Sequence, residues 1–311
     1  MASTILLTGA NSSLGIPTVD YLLKHHPESS LVLTVRDAGD QDPNTKTLRA
    51  VIAVYPEARV SIRELDLTNL DAVRKLARSM KQDVASGAIP PLSAIVGNAY
   101  FWNLVRPMEM TGDGYEKTMQ VSYLSHVALV LVLITSFLPQ GGRIVLFSSD
   151  GHESGKNPLE KFPPKIPSDP NQLDLLVKPA PDATNDVTGH GFHRYANSKL
   201  ATVMFTHALN RRLQRDSQLK HITAIVMNPG NLFDSRALVV NTPLKLILLS
   251  KLVLRPMGKI FGISKLIPMF TCCRPSPFFL ARLKTFSAKT KLTNIHIKNW
   301  TQRADPQPQP Q

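Results

Sequence analysis

Six short apolar runs alternate with segments of helical periodicity through the first 227 residues, and this alternation restricts the fold most. The runs are rich in leucine and β-branched residues and are predicted as strands at 4–8, 31–35, 60–65, 92–96, 142–147 and 221–227. Between them the spacing predicts helices, including 71–79, 115–138 and 195–213. Parallel strands need such crossovers, so the sequence predicts an α/β fold with a doubly wound parallel sheet and helices on both faces.

A glycine-bearing turn from Thr8 to Gly15 joins the first predicted strand to the first helix. Such a turn lets backbone N–H groups and the amino end of a helix face a phosphate group. Glycine alone is weak evidence, since any tight strand-to-helix turn favours it. The position of the turn after the first strand of an alternating pattern is what indicates a dinucleotide site.

Tyr195 and Lys199 are four residues apart on the predicted helix 195–213. This spacing places the phenol and the ammonium group on one face of the helix. A free phenol has a pKa of about 10, so it exchanges protons poorly at neutral pH unless a nearby cation favours the phenolate. Such a pair is common by chance on surface helices. Here it is more significant because it follows the phosphate turn in the chain.

These motifs resemble the short-chain dehydrogenase/reductase family over about residues 4–236. Thr8, Gly9 and Gly15 match the family fingerprint Thr-Gly-x-x-x-Gly-x-Gly, with Ser13 in place of the middle glycine. The resemblance implies a Rossmann-like, NAD(P)-binding catalytic domain. The side chain of Ser13 is expected to crowd the approach of a diphosphate and to weaken its binding.

The same resemblance implies a reaction centre of Ser149, Tyr195 and Lys199. Tyr195 would donate the proton when a carbonyl is reduced and accept it in the reverse direction. Lys199 would support the phenolate and hold the nicotinamide ribose. Ser149, the second serine after the fifth strand, would hydrogen-bond to the reacting oxygen.

Arg36, at the end of the second predicted strand, bears on the choice of cofactor. An acidic residue there accepts the ribose 2′-OH of NAD, whereas an arginine accommodates a 2′-phosphate, so Arg36 predicts NADP(H). The alternative is an ordinary solvated arginine. The resemblance implies further cofactor contacts in the turn and after strands three, four and six: Asn11, Leu14, Asp66, Leu67, Asn98, Pro229, Gly230 and Ser235. No metal is expected.

Two further substitutions depart from the family pattern. Tyr100 follows Asn98-Ala99 where the family has glycine, and Ser122 stands where an asparagine helps to hold a proton-relay water. A long insert, 150–194, also separates Ser149 from the Tyr195 motif. Such inserts resemble those of retinol-dehydrogenase-like, protochlorophyllide-reductase-like and 3-ketosteroid-reductase-like members and of fungal reductases of secondary metabolism.

The motifs predict an NADPH-dependent oxidoreductase that reduces a ketone or aldehyde of an apolar small molecule. The departures at Ser13 and Ser122 favour an alternative, an NADP(H)-binding scaffold or sensor with weakened catalysis. We favour the enzyme because Ser149, Tyr195 and Lys199 are all retained.

The formal net charge of +13 is concentrated near the C-terminal end. Segment 241–304 contains twelve Lys and Arg and no Asp or Glu, whereas the remainder is nearly neutral. No nucleic-acid-binding module accompanies this charge, so a nucleic-acid partner is not expected. The apolar, Lys-bearing stretch 244–254 predicts either a substrate lid alone or a lid that also contacts a membrane surface through 244–270.

The 311 residues predict a catalytic domain at 1–240, the basic apolar segment at 241–304 and a disordered tail at 305–311. The first residues do not resemble a signal peptide, so no leader is expected. The two cysteines, Cys272 and Cys273, are adjacent and bridge poorly. We therefore expect a cytoplasmic protein, with peripheral contact to an intracellular membrane as the alternative. Whether it forms a homo-oligomer stays open.

Overall fold

The computed structural model describes residues 2–230 and 235–254. Its six strands form one fully parallel sheet in the order β3-β2-β1-β4-β5-β6. The strands are β1 Ser3–Thr8, β2 Ser29–Val35, β3 Val60–Glu64, β4 Leu92–Gly97, β5 Gly142–Phe147 and β6 Ile222–Met227. The predicted doubly wound sheet is thus confirmed. Because the winding reverses between β1 and β4, their carboxyl ends border a crevice suited to a ligand.

Helices connect the strands on both faces of the sheet. They are α1 Gly15–His25, α2 Pro43–Ala53, α3 Leu70–Ala85, α4 Lys117–Met119, α5 Ser125–Leu133, α6 Asp174–Val177, α7 Val187–Leu213 and α8 Leu244–Leu249. Short 3₁₀ turns lie at Ile134–Ser136, Asp150–His152, Pro170–Gln172 and Arg236–Leu238, and π-helical turns at Gln120–Leu124 and Ser250–Leu254.

The core has two layers because successive strand side chains point to opposite faces of the sheet. Leu7 and Leu33 pack with α1 on one face, where Leu22 is fully buried. Leu6 and Val32 pack in the layer on the other face, which contains α3, α5 and part of α7. Because the sheet is packed on both faces, the strands are held in place, and so are the starting points of the loops at their carboxyl ends.

The predicted single helix 115–138 is present as one helical stretch, Lys117–Ser136, whose hydrogen-bonding pattern changes along its length. It begins at Lys117, and the π-helical turn Gln120–Leu124 separates α4 from α5. In the described part of the chain, the stretch Lys117–Ser136 is long and apolar enough to cross a membrane, but 61% of its most apolar window is buried. Since α5 packs against α3 in the core, its apolar character is that of a buried helix.

The helix predicted to begin at Tyr195 begins at Val187, so the last eight residues of the insert 150–194 are helical. Asp186 caps the helix by accepting a hydrogen bond from the Gly189 N–H at 3.0 Å. Two glycines in this turn weaken its intrinsic helix propensity. Gly191 is needed nonetheless, because a Cβ there would lie 2.1 Å from the carbonyl oxygen of Asn103.

The predicted helix 244–254 is present as α8 followed by a π-helical turn. Leu246 packs against an apolar cluster that contains Leu104 and Phe192, so this segment contacts the sheet domain. The predicted domain boundary at 240/241 stays a prediction. Segments 255–304 and 305–311 lie outside the described residues.

Candidate active site

The turn between β1 and α1 has a geometry suited to phosphate. Gly9 adopts a φ of 62°, which favours glycine. A Cβ at Gly15 would lie 2.5 Å from the carbonyl oxygens of Gly9 and Ala10, so glycine lets α1 begin this close to the turn. The Ser12 hydroxyl accepts a hydrogen bond from the Gly15 N–H at 2.9 Å. The amino end of α1 is thereby presented at the crevice.

Three residues of the predicted site hold this turn. Asn98 Nδ2 donates to the carbonyl oxygens of Thr8 at 2.9 Å and Gly9 at 3.0 Å. Asn11 Nδ2 donates to Thr45 Oγ1 at 2.9 Å, which ties the turn to α2. Thr8 is buried at the end of β1. Asn98, Asn11 and Thr8 therefore fix the cradle in which a phosphate would lie.

The other residues predicted on the adenosine side lie around the same edge of the sheet. Arg36 directly follows β2 and is exposed. Asp66 is exposed after β3, and its carboxylate accepts the Thr68 N–H at 2.8 Å. Leu67 and Leu14 are core-packing residues. Their side chains support the loops, so any cofactor contact from these two positions would come from the backbone or the edge of the side chain.

Ser149 and Tyr195 come together beyond the crevice. Tyr195 lies on α7, whereas Ser149 follows β5 by two residues. The Tyr195 phenol lies close enough to the Ser149 hydroxyl for the serine to lower the pKa of the phenol. Ser149 Oγ in turn donates to Asp150 Oδ1 at 2.9 Å and accepts from the Gly151 N–H at 3.1 Å. Two predicted residues from distant parts of the chain thus share one polar network.

Lys199 completes the predicted set and is buried. Its Nζ donates to the carbonyl oxygen of Phe147 at 3.1 Å. The same atom lies 5.3 Å from the ring centroids of both Tyr195 and Tyr100, a distance at which a cation is attracted to an aromatic face. Burial lowers the pKa of Lys199 to about 8.

The pKa of Tyr195 moves in the direction opposite to the one that the sequence suggests. Burial raises it well above its usual value, and Tyr100 and Asp150 raise it further, while the nearby Ser149 hydroxyl lowers it. Desolvation is the largest effect because a buried phenolate loses the hydration that stabilises its charge. Tyr195 therefore holds its proton at neutral pH in this state.

Tyr100, in place of the family glycine, lies against the reaction centre. Its ring centroid is 6.0 Å from that of Tyr195, and its hydroxyl lies near the Ser235 side chain, which lowers the pKa of Tyr100 slightly against the effect of burial. Burial around this hydroxyl raises the pKa of Tyr100 to about 12, although 41% of the residue is exposed. The Trp102 ring makes an edge contact with Tyr195 at 5.5 Å. Two aromatic side chains therefore line the approach to the phenol.

Pro229 and Gly230 form an exposed turn after β6. Gly230 has a φ of 75°, and its N–H donates to Asn228 Oδ1 at 3.0 Å. The predicted site residue Ser235 returns to the crevice beside Tyr100, as described above. Of these three predicted residues, Ser235 lies beside the reaction centre, whereas Pro229 and Gly230 lie in an exposed turn.

Ser122 has its hydroxyl engaged by the backbone. Its Oγ donates to the carbonyl oxygen of Phe101 at 3.2 Å and accepts the Phe101 N–H at 3.1 Å. The residue lies in the π-helical turn, which displaces it from the position that a regular helix would give. It therefore braces the loop that carries Tyr100.

Sequence reasoning missed three residues of this region: His126, Asp150 and Arg236. His126 is a buried polar residue in an apolar helix, a pattern that could have been noticed, and its Nε2 lies 2.9 Å from Thr8 Oγ1. Burial, with a smaller effect of Lys199, lowers the pKa of His126 to about 4. Arg236 Nη2 donates to the carbonyl oxygen of Asn11, a contact across 225 positions that no local motif signals.

The residues present fit a nicotinamide dinucleotide. The glycine cradle suits a diphosphate, Arg36 is free of enclosing structure, and Lys199 is buried beside the phenol. Within residues 2–230 and 235–254, no group of His, Cys, Asp and Glu side chains is arranged to hold a metal ion.

The chain is similar in sequence to a known domain family and to characterised oxidoreductases. The model of the KR domain family matches residues 3–156. A short-chain dehydrogenase of Talaromyces variabilis, iccH, is 29% identical over 252 residues, covering 73% of this chain and 69% of the relative. Human retinol dehydrogenase 14 is 30% identical over 240 residues, covering 73% of this chain and 61% of the relative. The chain thus spans about two thirds of the length of these relatives.

Solved structures share the fold. A short-chain dehydrogenase from Burkholderia cenocepacia in complex with NADP superposes with a TM-score of 0.53 at 19% identity, covering 76% of each chain. The NADPH-bound carbonyl reductase from chicken fatty liver gives 0.51 at 17% identity, covering 74% of this chain and 79% of that one. Together with the sequence relatives, these matches agree with the motifs quoted above. The chain belongs to the short-chain dehydrogenase/reductase family of oxidoreductases.

Proposed function

We propose that this protein is an NADPH-dependent reductase of an apolar ketone or aldehyde. The observation that carries the proposal is the joint placement of Ser149, Tyr195 and Lys199: the Ser149 hydroxyl lies close enough to the phenol to lower its pKa, and the Lys199 Nζ is 5.3 Å from the centroid of the phenol ring. A bound nicotinamide would supply the hydride. A scaffold or sensor would have no need of this arrangement, which supports the enzyme over that alternative.

The protonation state of the site favours reduction. Because burial keeps Tyr195 protonated, it is ready to donate a proton to a carbonyl oxygen as that oxygen gains charge. Lys199, charged below a pH of about 8, would stabilise the phenolate that remains. Ser149 can position the same oxygen because its hydroxyl lies beside the phenol.

The surroundings of the phenol support an apolar substrate. Tyr195 packs at the margin of a cluster in which Leu104 and Phe192 are fully buried, and Trp102 and Leu246 lie against the same cluster. A polar substrate would lose hydration against these side chains without regaining hydrogen bonds. An apolar body with one carbonyl group therefore fits this site better than a polyhydroxylated one.

Arg36→Asp should reverse the preference for NADPH over NADH. Arg36 is exposed at the end of β2, so it can pair with a 2′-phosphate, whereas an aspartate would repel that group and accept a 2′-OH. Calorimetric titration of both cofactors against the native and variant proteins measures the change.

Arg143→Asp is the matched control for that titration, since Arg143 is also an exposed arginine, at the amino end of β5. It should leave both affinities near native. If native protein binds NADH as tightly as NADPH, the assignment of Arg36 is wrong.

We propose that the C-terminal segment contacts a membrane through 244–270 in addition to serving as a substrate lid. Leu244 and Leu252 are 69% and 71% exposed, and Lys245 and Lys251 are exposed on the same stretch. Apolar side chains flanked by uncompensated cations suit an anionic bilayer, where each cation contributes about 1 kcal/mol near the surface.

Leu252→Glu should reduce flotation with phosphatidylserine-containing liposomes, and added salt should weaken the native interaction. Val54→Glu is a matched control, because Val54 is 70% exposed but lies outside the segment. Native protein that stays unbound at low salt would leave the segment as a substrate lid alone.

A further inference from the structure

The three departures from the family pattern are linked to one another through the loop after β6. Ser13 Oγ accepts the backbone N–H of Arg236 at 3.1 Å. The preceding residue, Ser235, lies close enough to Tyr100 to lower the pKa of its hydroxyl. Tyr100 adjoins Phe101, whose backbone is held by Ser122. Substitutions that look like separate losses in the sequence therefore belong to one continuous set of contacts.

This arrangement places a guanidinium group at the phosphate turn. Arg236 Nη2 donates to the carbonyl oxygen of Asn11, inside the turn, while the rest of the residue is exposed. No carboxylate among the described residues forms an ion pair with Arg236, so its charge is not neutralised within that part of the chain. The positive charge adds to the positive end of α1, which begins at Gly15.

The segment that carries Arg236 is fixed at its other end as well. The Trp102 indole N–H donates to the carbonyl oxygen of Val240 at 3.2 Å. The carbonyl oxygen of Asn241 accepts the Leu104 N–H at 2.9 Å, and its side-chain oxygen accepts from Arg106 Nη2 at 3.1 Å. A short segment held at both ends limits the positions that the guanidinium can reach, which reduces the entropy lost on binding.

We propose that Arg236 binds the diphosphate of the dinucleotide and that Ser13 positions it for this role. A guanidinium group pairs with phosphate oxygens through two parallel N–H donors. Ser13 prevents the close backbone approach that the family glycine allows, and the long Arg236 side chain reaches across the extra distance. The inference rests on the proposed dinucleotide cofactor, and it assigns to Arg236 a contact that is separate from the selection of the 2′-phosphate by Arg36.

The test compares the binding of NADPH, NADH and 2′-AMP by calorimetry. Arg236→Met should weaken NADPH and NADH alike by at least about tenfold, the loss expected when a charge-assisted hydrogen bond is removed. It should leave 2′-AMP unchanged, because that probe carries the 2′-phosphate but no diphosphate. Arg106→Met is the matched control: it removes a guanidinium from the other end of the segment, far from the turn, and should have a much smaller effect.

Ser13→Gly separates the two interpretations of that residue. If Ser13 only crowds the diphosphate, the glycine variant will bind NADPH more tightly; if it positions Arg236, the variant will bind more weakly. Tighter binding by Ser13→Gly, or native affinities in Arg236→Met, would overturn the inference while leaving the proposed function intact. Native protein that binds neither dinucleotide would overturn both.

Discussion

Tyr195→Phe is expected to reduce carbonyl reduction by about 10²- to 10⁴-fold, the contribution typical of a positioned general acid. The substitution removes only the hydroxyl, which lies beside Ser149, and leaves the packed ring in place. Oxidation of NADPH, followed at saturating cofactor with a panel of apolar ketones and aldehydes, measures the loss. NADPH affinity should stay close to native, because the phenol is needed for the proton rather than for the diphosphate.

Tyr55→Phe provides the control for that experiment. It also deletes a phenol hydroxyl, one that donates to Asp20 Oδ1 on α1 at 2.8 Å, and should keep native turnover. Full activity in Tyr195→Phe on a substrate that the native protein reduces would show that another group donates the proton.

Lys199→Met is expected to lower both NADPH affinity and turnover, each by about tenfold or more, because a buried charge-assisted donor is lost. The pH dependence gives a more specific test. Lys199 is charged below about 8 and neutral above it, so native affinity for NADPH should fall as the pH rises through that value. The methionine variant should bind weakly at every pH and show no such step.

Titrations between about pH 6.5 and about 9.5 cover the range over which the lysine changes its charge. Lys81→Met, at an exposed position of α3, should retain the native pH profile. A Lys199→Met protein with the native step would assign the titration to a different group.

The strands and their order of appearance could be predicted because each depends on a local pattern. An apolar run such as 142–147 indicates a strand because it is short, apolar and rich in β-branched residues, and the structure has β5 at these residues. The start of α7 could not be predicted in this way. Gly189 and Gly191 argue locally against a helix, whereas the close approach of Gly191 to Asn103 requires glycine.

The features of the site likewise differ in whether local sequence spacing can predict them. Tyr195 and Lys199 are four residues apart, so helical geometry alone puts them on one face. The pKa of Tyr195 depends on burial by side chains from several elements, which local spacing does not reveal. The contact between Ser13 and Arg236 joins positions 223 residues apart and emerges only from the topology of the sheet.

In the proposed reaction, the hydrogen bond from Ser149 to Asp150 would make the serine selective for one stage. A neutral ketone oxygen is a weaker acceptor than the carboxylate at 2.9 Å, so the hydroxyl has little reason to turn toward the substrate at rest. As the carbonyl oxygen gains negative charge during reduction, it becomes a comparable acceptor and can draw the hydroxyl away. Ser149 would then stabilise the transition state more than the bound substrate, and only such a difference accelerates the chemical step.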